Sequence, residues 1–129
     1  MGFELTVLGL SALLSVAQLI ALAVAANLQL GSDYLAGPRD EERPIAGVAG
    51  RLRRAFNNQM EGLVLYGVAA LLVVESGSVS GFTHICAAAY LGARILYVPA
   101  YAYGWNPGRS LIWGVGFLAT VAMLVAALI

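Results

Sequence analysis

The sequence predicts an all-α membrane protein, a single domain over residues 1–129 with four transmembrane helices in an up-down-up-down bundle. Three observations lead there. Hydrophobic residues make up 60% of the chain and charged residues only 11%, against roughly 25% charged in soluble domains. The apolar residues gather into four runs, each near the ~20 residues a helix needs to cross a ~30 Å hydrocarbon layer. None of the runs alternates as a barrel strand would, and lipid, which offers backbone groups no partners, tolerates only helices or closed barrels.

The first run, Leu5 to Leu30, lacks the basic start of a secretory signal and is too long for its apolar core, so it reads as a retained span. Gly31 to Gly50 is the one substantial loop, with two of the four prolines and six charged residues. The second run, Leu63 to Val74, extends backwards through the polar turns of RLRRAFNNQMEG from Arg51. The third covers Phe82 to Tyr103 and the fourth Leu111 to Ile129. SGSVSG from Ser76 and GWNPG from Gly104 read as tight turns, and short connections make neighbouring helices antiparallel. Gly9, Gly67, Gly92, Gly114 and Gly116 read as close-packing positions between helices. Glu75 reads as the cap of the second span, and His84 and Cys86 as packed or interfacial residues.

Seven arginines balance seven acids and there is no lysine. Zero net charge provides no attraction to a polyanion, so nucleic acid is not an expected partner. Cys86 stands alone, which excludes an internal disulfide and a thiolate metal cluster. No phosphate loop, His-Glu-x-x-His or serine triad pattern is present, and no metal site is expected. Arg39, Arg43, Arg51, Arg53 and Arg54 lie in or beside the first loop and Arg109 beside the third, whereas Glu4 and Glu75 mark the other side. The positive-inside rule then places both termini outside and the polar head of the second span at the cytoplasm. In a bacterial cell the membrane would be the inner one.

The polar head has a helical order. Arg51, Arg54, Asn58, Glu61 and Leu65 are spaced three or four apart and share one stripe. Tyr90, Arg94, Tyr97 and Tyr101 repeat that spacing on the third span. Arg94 stands roughly twelve residues into an apolar segment, about 18 Å at 1.5 Å per residue. An arginine at that depth costs at least ~2.5 kcal/mol and requires a partner, for which Glu61 is the expected residue. Two readings fit: an interhelical ion pair that fixes register, with Arg51, Arg53 and Arg54 as headgroup anchors, or a ligand site. The inventory favours a ligand. Guanidinium forks take carboxylates, Glu61 takes an ammonium, and Asn58 and the phenols complete the hydrogen bonds, a set suited to a small zwitterion with excess negative charge.

RAFNNQME, Arg54 to Glu61, resembles the Arg-x-x-x-Asn-x-x-Glu signature of the MAPEG proteins (membrane-associated proteins in eicosanoid and glutathione metabolism). RILYVPAY, Arg94 to Tyr101, resembles their Arg-x-x-Tyr-x-x-x-Tyr on the third helix. The resemblance implies a homotrimer of four-helix subunits binding glutathione between neighbours near the cytoplasmic face. It assigns glutathione contacts to Arg54, Asn58, Glu61, Arg94, Tyr97 and Tyr101, which Arg51 joins as a member of the same stripe. Arg109 and Ser110, after GWNPG, look like the family's arginine and serine that act on the thiol. Many family members have proline where this chain has Leu65, and some an aromatic where it has Gly62, so the wall that meets the second substrate differs. The resulting expectation is a membrane-embedded glutathione transferase, with a possible peroxidase side activity, acting on small lipophilic electrophiles that enter from membrane lipid. The alternatives are a non-catalytic binding or assembly module of the same fold, or a small proton-coupled exporter using Glu61.

Overall fold

The computed structural model describes residues 1–31, 35, 37, 45–103 and 108–129. Arg39, Arg43 and most of the first loop, together with the GWNPG turn at 104–107, lie outside the described residues. Four helices account for nearly all the rest: α1 Phe3–Leu30, α2 Gly47–Glu75, α3 Gly81–Ala102 and α4 Gly108–Leu128. Helix α2 begins within the stretch expected to be loop.

Two of the four, α1 and α4, are long and apolar enough to cross a membrane. Only 28% and 22% of their most apolar windows are buried, so they are not the sequestered core helices of a soluble domain. Helices α2 and α3 fall short of that apolarity because they carry the polar stripes.

Contacts along the chain set the arrangement. Tyr66 reaches Glu4, Gln59 reaches Ser11 and Ser15, and Ala46 meets Gln29, so α1 and α2 are read in opposite order. Gln29 grips Ala46 by both amide atoms, at 2.9 and 2.8 Å, and ties the head of α2 to the end of α1. Between α2 and α3 the chain turns within five residues. Gly77, at φ 70°, supplies the left-handed residue that ends α2, and the Ser78 amide reaches back to the Val73 carbonyl. Ser76 rather than Glu75 is therefore the C-cap. Ser80 then opens α3 through a reciprocal capping box with Thr83.

Tyr66, Ala69, Ala70 and Val73 of α2 close with Ala87 and Tyr90 of α3, Val7 of α1 and Met123 of α4 into one apolar core. Cys86 is buried in it. The Tyr66 and Tyr90 rings stack at 4.2 Å. Beside this core lies a buried carboxylate: Glu4 accepts from Thr83 Oγ1 at 2.8 Å, with His84 Nε2 at 3.4 Å and Tyr66 donating to the Glu4 carbonyl. Of the glycines expected at close contacts, Gly67 meets Leu8 and Gly116 meets Ala93, but Gly9, Gly92 and Gly114 have open space where a Cβ would stand. Gly9 and Gly92 are exposed, on helix faces turned away from this bundle.

Thr83→Val keeps the shape of the side chain but removes the donor to Glu4 and one arm of the capping box. Stability should fall by about 1–3 kcal/mol, the cost of stranding a buried acceptor, measured by thermal unfolding in detergent against the parent.

Candidate functional site

The site is built around Arg94, which is only 4% exposed. Its Nε donates to Gln59 Oε1 and its Nη1 to Asn58 Oδ1, both at 2.8 Å, and its guanidinium lies 4.6 Å from the Tyr97 ring centre. Glu61 makes neither a salt bridge nor a hydrogen bond with it, which corrects the expected pairing. Two neutral amides take the place nearest the guanidinium, and Glu61, half a turn further along α2, is exposed. A cation held by amide oxygens keeps its full charge available to a ligand, whereas a carboxylate partner would have neutralised it.

Gln59 carries the restraint to α1. It is fully buried, and its amide hydrogens are shared among Ser11 O, Ser11 Oγ and Ser15 Oγ, each at 3.1 Å. Ser11 Oγ also bonds the Tyr90 hydroxyl at 3.1 Å. One chain of hydrogen bonds thus runs from Tyr90 through Ser11 and Gln59 to Arg94 and Asn58, joining three helices. Gln59 was not among the expected site residues. The signal was available in the spacing of Glu4, Ser11, Ser15 and Gln18, a polar stripe on an otherwise apolar α1 that called for a polar partner on α2.

Toward the α4 start the surface opens into a cleft of about 460 Å³. Its walls combine Arg54, Asn58 and Glu61 of α2, Tyr97 and Tyr101 of α3, and Arg109 and Ser110 of α4. Asn57 and Trp113 also line it and were not expected. Tyr101 organises the cations: its hydroxyl accepts from Arg54 Nε at 2.9 Å, and the Arg109 guanidinium stands 4.9 Å from its ring centre. Neither arginine makes a salt bridge among the described residues, so two guanidiniums face the cleft together with the Glu61 carboxylate. Groups of both signs on one opening suit a zwitterion. Arg51 is exposed and is not part of this lining.

A second, more enclosed cavity of about 240 Å³ adjoins the cleft, sharing Asn58, Glu61 and Trp113 with it. Arg94 lines this inner cavity rather than the open cleft. Gly62 and Leu65, the two departures from the signature, are both in its wall.

The structure is an α-helical bundle with two apolar candidate spans and a cationic, phenol-lined cleft near one end. The chain belongs to the MAPEG family, whose match covers residues 5–129. No curated protein and no solved structure gives a match. Membership brings the chain into a group of membrane proteins that includes glutathione transferases and also non-catalytic members.

Gln59→Leu leaves the Arg94 Nε buried without an acceptor and cuts the link to Ser11 and Ser15. The expected loss is about 2–3 kcal/mol, at the charged end of the hydrogen-bond range, whereas Asn57→Leu on the exposed side of the same helix should cost much less. Paired thermal melts of the two variants compare them.

Proposed function

We propose that the protein is a membrane-embedded glutathione transferase that conjugates small lipophilic electrophiles with glutathione held in the 460 Å³ cleft. The observation that carries this reading is the convergence of Arg54, Asn58, Glu61, Tyr97, Tyr101, Arg109 and Ser110, from three helices, on one opening. Glutathione offers two carboxylates, one ammonium and a thiol. Arg54 suits a carboxylate, and Arg51, one turn earlier on the same stripe, is a second candidate outside the lining; Glu61 suits the ammonium; Asn58, Tyr97 and Tyr101 supply hydrogen bonds, and Arg94 adds positive field from beside Asn58.

Arg109 stands in the first turn of α4, where unpaired backbone N–H groups add partial positive charge. A sulfur placed there meets a guanidinium, the Ser110 hydroxyl and the helix terminus, and all three favour the thiolate, which is the nucleophile. The electrophile arrives from the lipid, sulfur bonds to its carbon, and the leaving group departs. A peroxidase side activity would use the same thiolate: the sulfur takes the outer peroxide oxygen as the O–O bond breaks and the alcohol leaves, and a second glutathione then converts the sulfenic acid to the disulfide and water.

The rest of the reading follows from the family and the charge distribution. Four spans cross the membrane up-down-up-down, the arginine-rich ends of α2 and α4 face the cytoplasm, and both termini lie outside. The cleft is open on one side in a single subunit, and in a homotrimer a neighbouring subunit would close it.

Arg54→Ala should weaken glutathione binding by about 1.5–3 kcal/mol, the scale of hydrogen bonds to charged groups, while the assembled protein stays folded; calorimetric titration beside a thermal melt reads both. Absence of glutathione affinity in the parent contradicts the proposal. Arg109→Ala should lower turnover far more than affinity and remove the ultraviolet absorbance of bound thiolate. Retention of that absorbance in Arg109→Ala and its loss in Ser110→Ala would transfer the role to the serine.

A further inference from the structure

We propose that Gln18 is a positioning residue for Tyr97: the two side chains share one buried water, which ties α1 to the wall of the cleft and leaves the Tyr97 phenolic hydrogen free for a ligand. The shared water stands on the fold alone, and its effect on ligand affinity rests on the glutathione reading.

Helix α1 is joined to α3 at equal intervals. Glu4 accepts from Thr83, Ser11 bonds Tyr90, and each pair is 79 positions apart in the chain. Equal offsets mean that α1 and α3 run parallel and do not slip between the first pair and the second. Seven residues make nearly two turns, about 10.5 Å at 1.5 Å per residue, and drift only ~20° around a helix. One further step of seven leads from Ser11 to Gln18 and from Tyr90 to Tyr97, at the same offset. Side chains lean toward the N-terminus of their own helix, so in a parallel pair they stay level. Helix α2 keeps the same period in the opposite sense. Tyr66 donates to the Glu4 carbonyl and Gln59 to Ser11, and the next step of seven is Leu52.

The third layer therefore differs from the first two, in which α2 brings α1 a polar group. Gln18 is only 4% exposed, and neither of its amide atoms has a hydrogen-bond partner. An amide buried that way is unfavourable. Among the described residues α1 packs on α2 and α3 but not on α4, so a partner comes from those two helices. On α2, Leu52 and Ala55 have no polar side-chain atom, and Gln59 is committed to Arg94 and the two serines. On α3, Arg94 Nη2 is also unpartnered, but Asn58 and Gln59 hold that guanidinium in the second layer. Tyr97 remains. It is buried, its ring lies under Arg94 and tilts against Tyr101, and no hydrogen bond of its hydroxyl occurs among the described residues.

The two side chains do not bond directly. Buried waters settle where polar groups of neighbouring elements lack partners, and such a bridge holds nearly as well as a direct bond. Here the water accepts from Gln18 Nε2 and donates to the Tyr97 oxygen. The phenolic hydrogen then turns to the cleft, which Tyr97 lines, as a donor to an anionic ligand.

A double-mutant cycle on the purified protein in detergent tests this. Gln18→Met keeps the length of the side chain and removes the amide. It should lower the melting temperature, as should Tyr97→Phe without any ligand, and the two losses should not add. In calorimetric titration, Gln18→Met should weaken glutathione binding about threefold to tenfold, the scale of one neutral hydrogen bond. In a Tyr97→Phe background the same change should weaken it by less than about twofold. A loss of packing alone would not depend on the phenol in this way. A higher melting temperature in Gln18→Met, as expected on removing an amide that has no partner, overturns the proposal, and so do losses that add. Should Gln18→Met fail to fold, Tyr97→Phe decides: a lowered melting temperature supports the shared water and an unchanged one overturns it. A parent protein that binds no glutathione defeats the transferase reading, while non-additive melting still upholds the link between Gln18 and Tyr97.

Discussion

A single guanidinium in an apolar helix determines how this bundle is put together. Arg94 stands too deep for water to solvate it, and an isolated charge in that setting is strongly unfavourable. The chain resolves this with dipoles rather than an opposite charge: two amide oxygens at 2.8 Å and the face of Tyr97. Because those amides are consecutive residues on α2, meeting them fixes both the rotation and the height of α3 against α2. Gln59 then spends its own hydrogens on Ser11 and Ser15, so α1 is fixed by the same group. Replacing the amides by a carboxylate would satisfy Arg94 equally well but would cancel the field that the neighbouring cleft uses.

The cleft and the inner cavity are consequences of that placement. With Asn58 turned to Arg94, the remaining stripe of α2 puts Arg54 and Glu61 at the opening, where α3 and α4 contribute Tyr101 and Arg109. Tyr101 holds two cations near each other through different chemistry, its oxygen for Arg54 and its ring for Arg109. The two arginines make no salt bridge among the described residues, and an anionic ligand between them would relieve their mutual repulsion. On the other side of Asn58, glycines on α2 and α4 leave the space lined by Trp113 and Phe117. The cleft and the more enclosed cavity thus share a boundary at Asn58, Glu61 and Trp113.

Much of this was legible in the sequence, and the limits have a common cause. Helical spacing placed Arg54, Asn58 and Glu61 on one face and Tyr97 and Tyr101 on another, and the structure brings those residues together with Arg109 and Ser110. The depth of Arg94 was legible too, but its partner was not. Spacing says which residues share a face, not which way that face is turned toward a neighbour. Gln59 is about 100° around the helix from Asn58, so it fell outside the stripe, yet Arg94 bridges the two. Trp113 was missed because an aromatic residue near the end of an apolar run looks like an interfacial anchor. The polar stripe on α1 was visible as Glu4, Ser11, Ser15 and Gln18, and its meaning depended on knowing that α1 packs on α2.

The central claim is that Arg94, clamped by neutral amides, shapes a cleft ready for glutathione without itself being neutralised. A structure of the protein with glutathione bound tests it most directly. The account predicts the tripeptide in the cleft among α2, α3 and α4, a carboxylate on Arg54, the sulfur beside Arg109, and Arg94 still on Asn58 and Gln59. Glutathione bound elsewhere, or Arg94 released from Gln59 to pair with Glu61 when the ligand arrives, would contradict it.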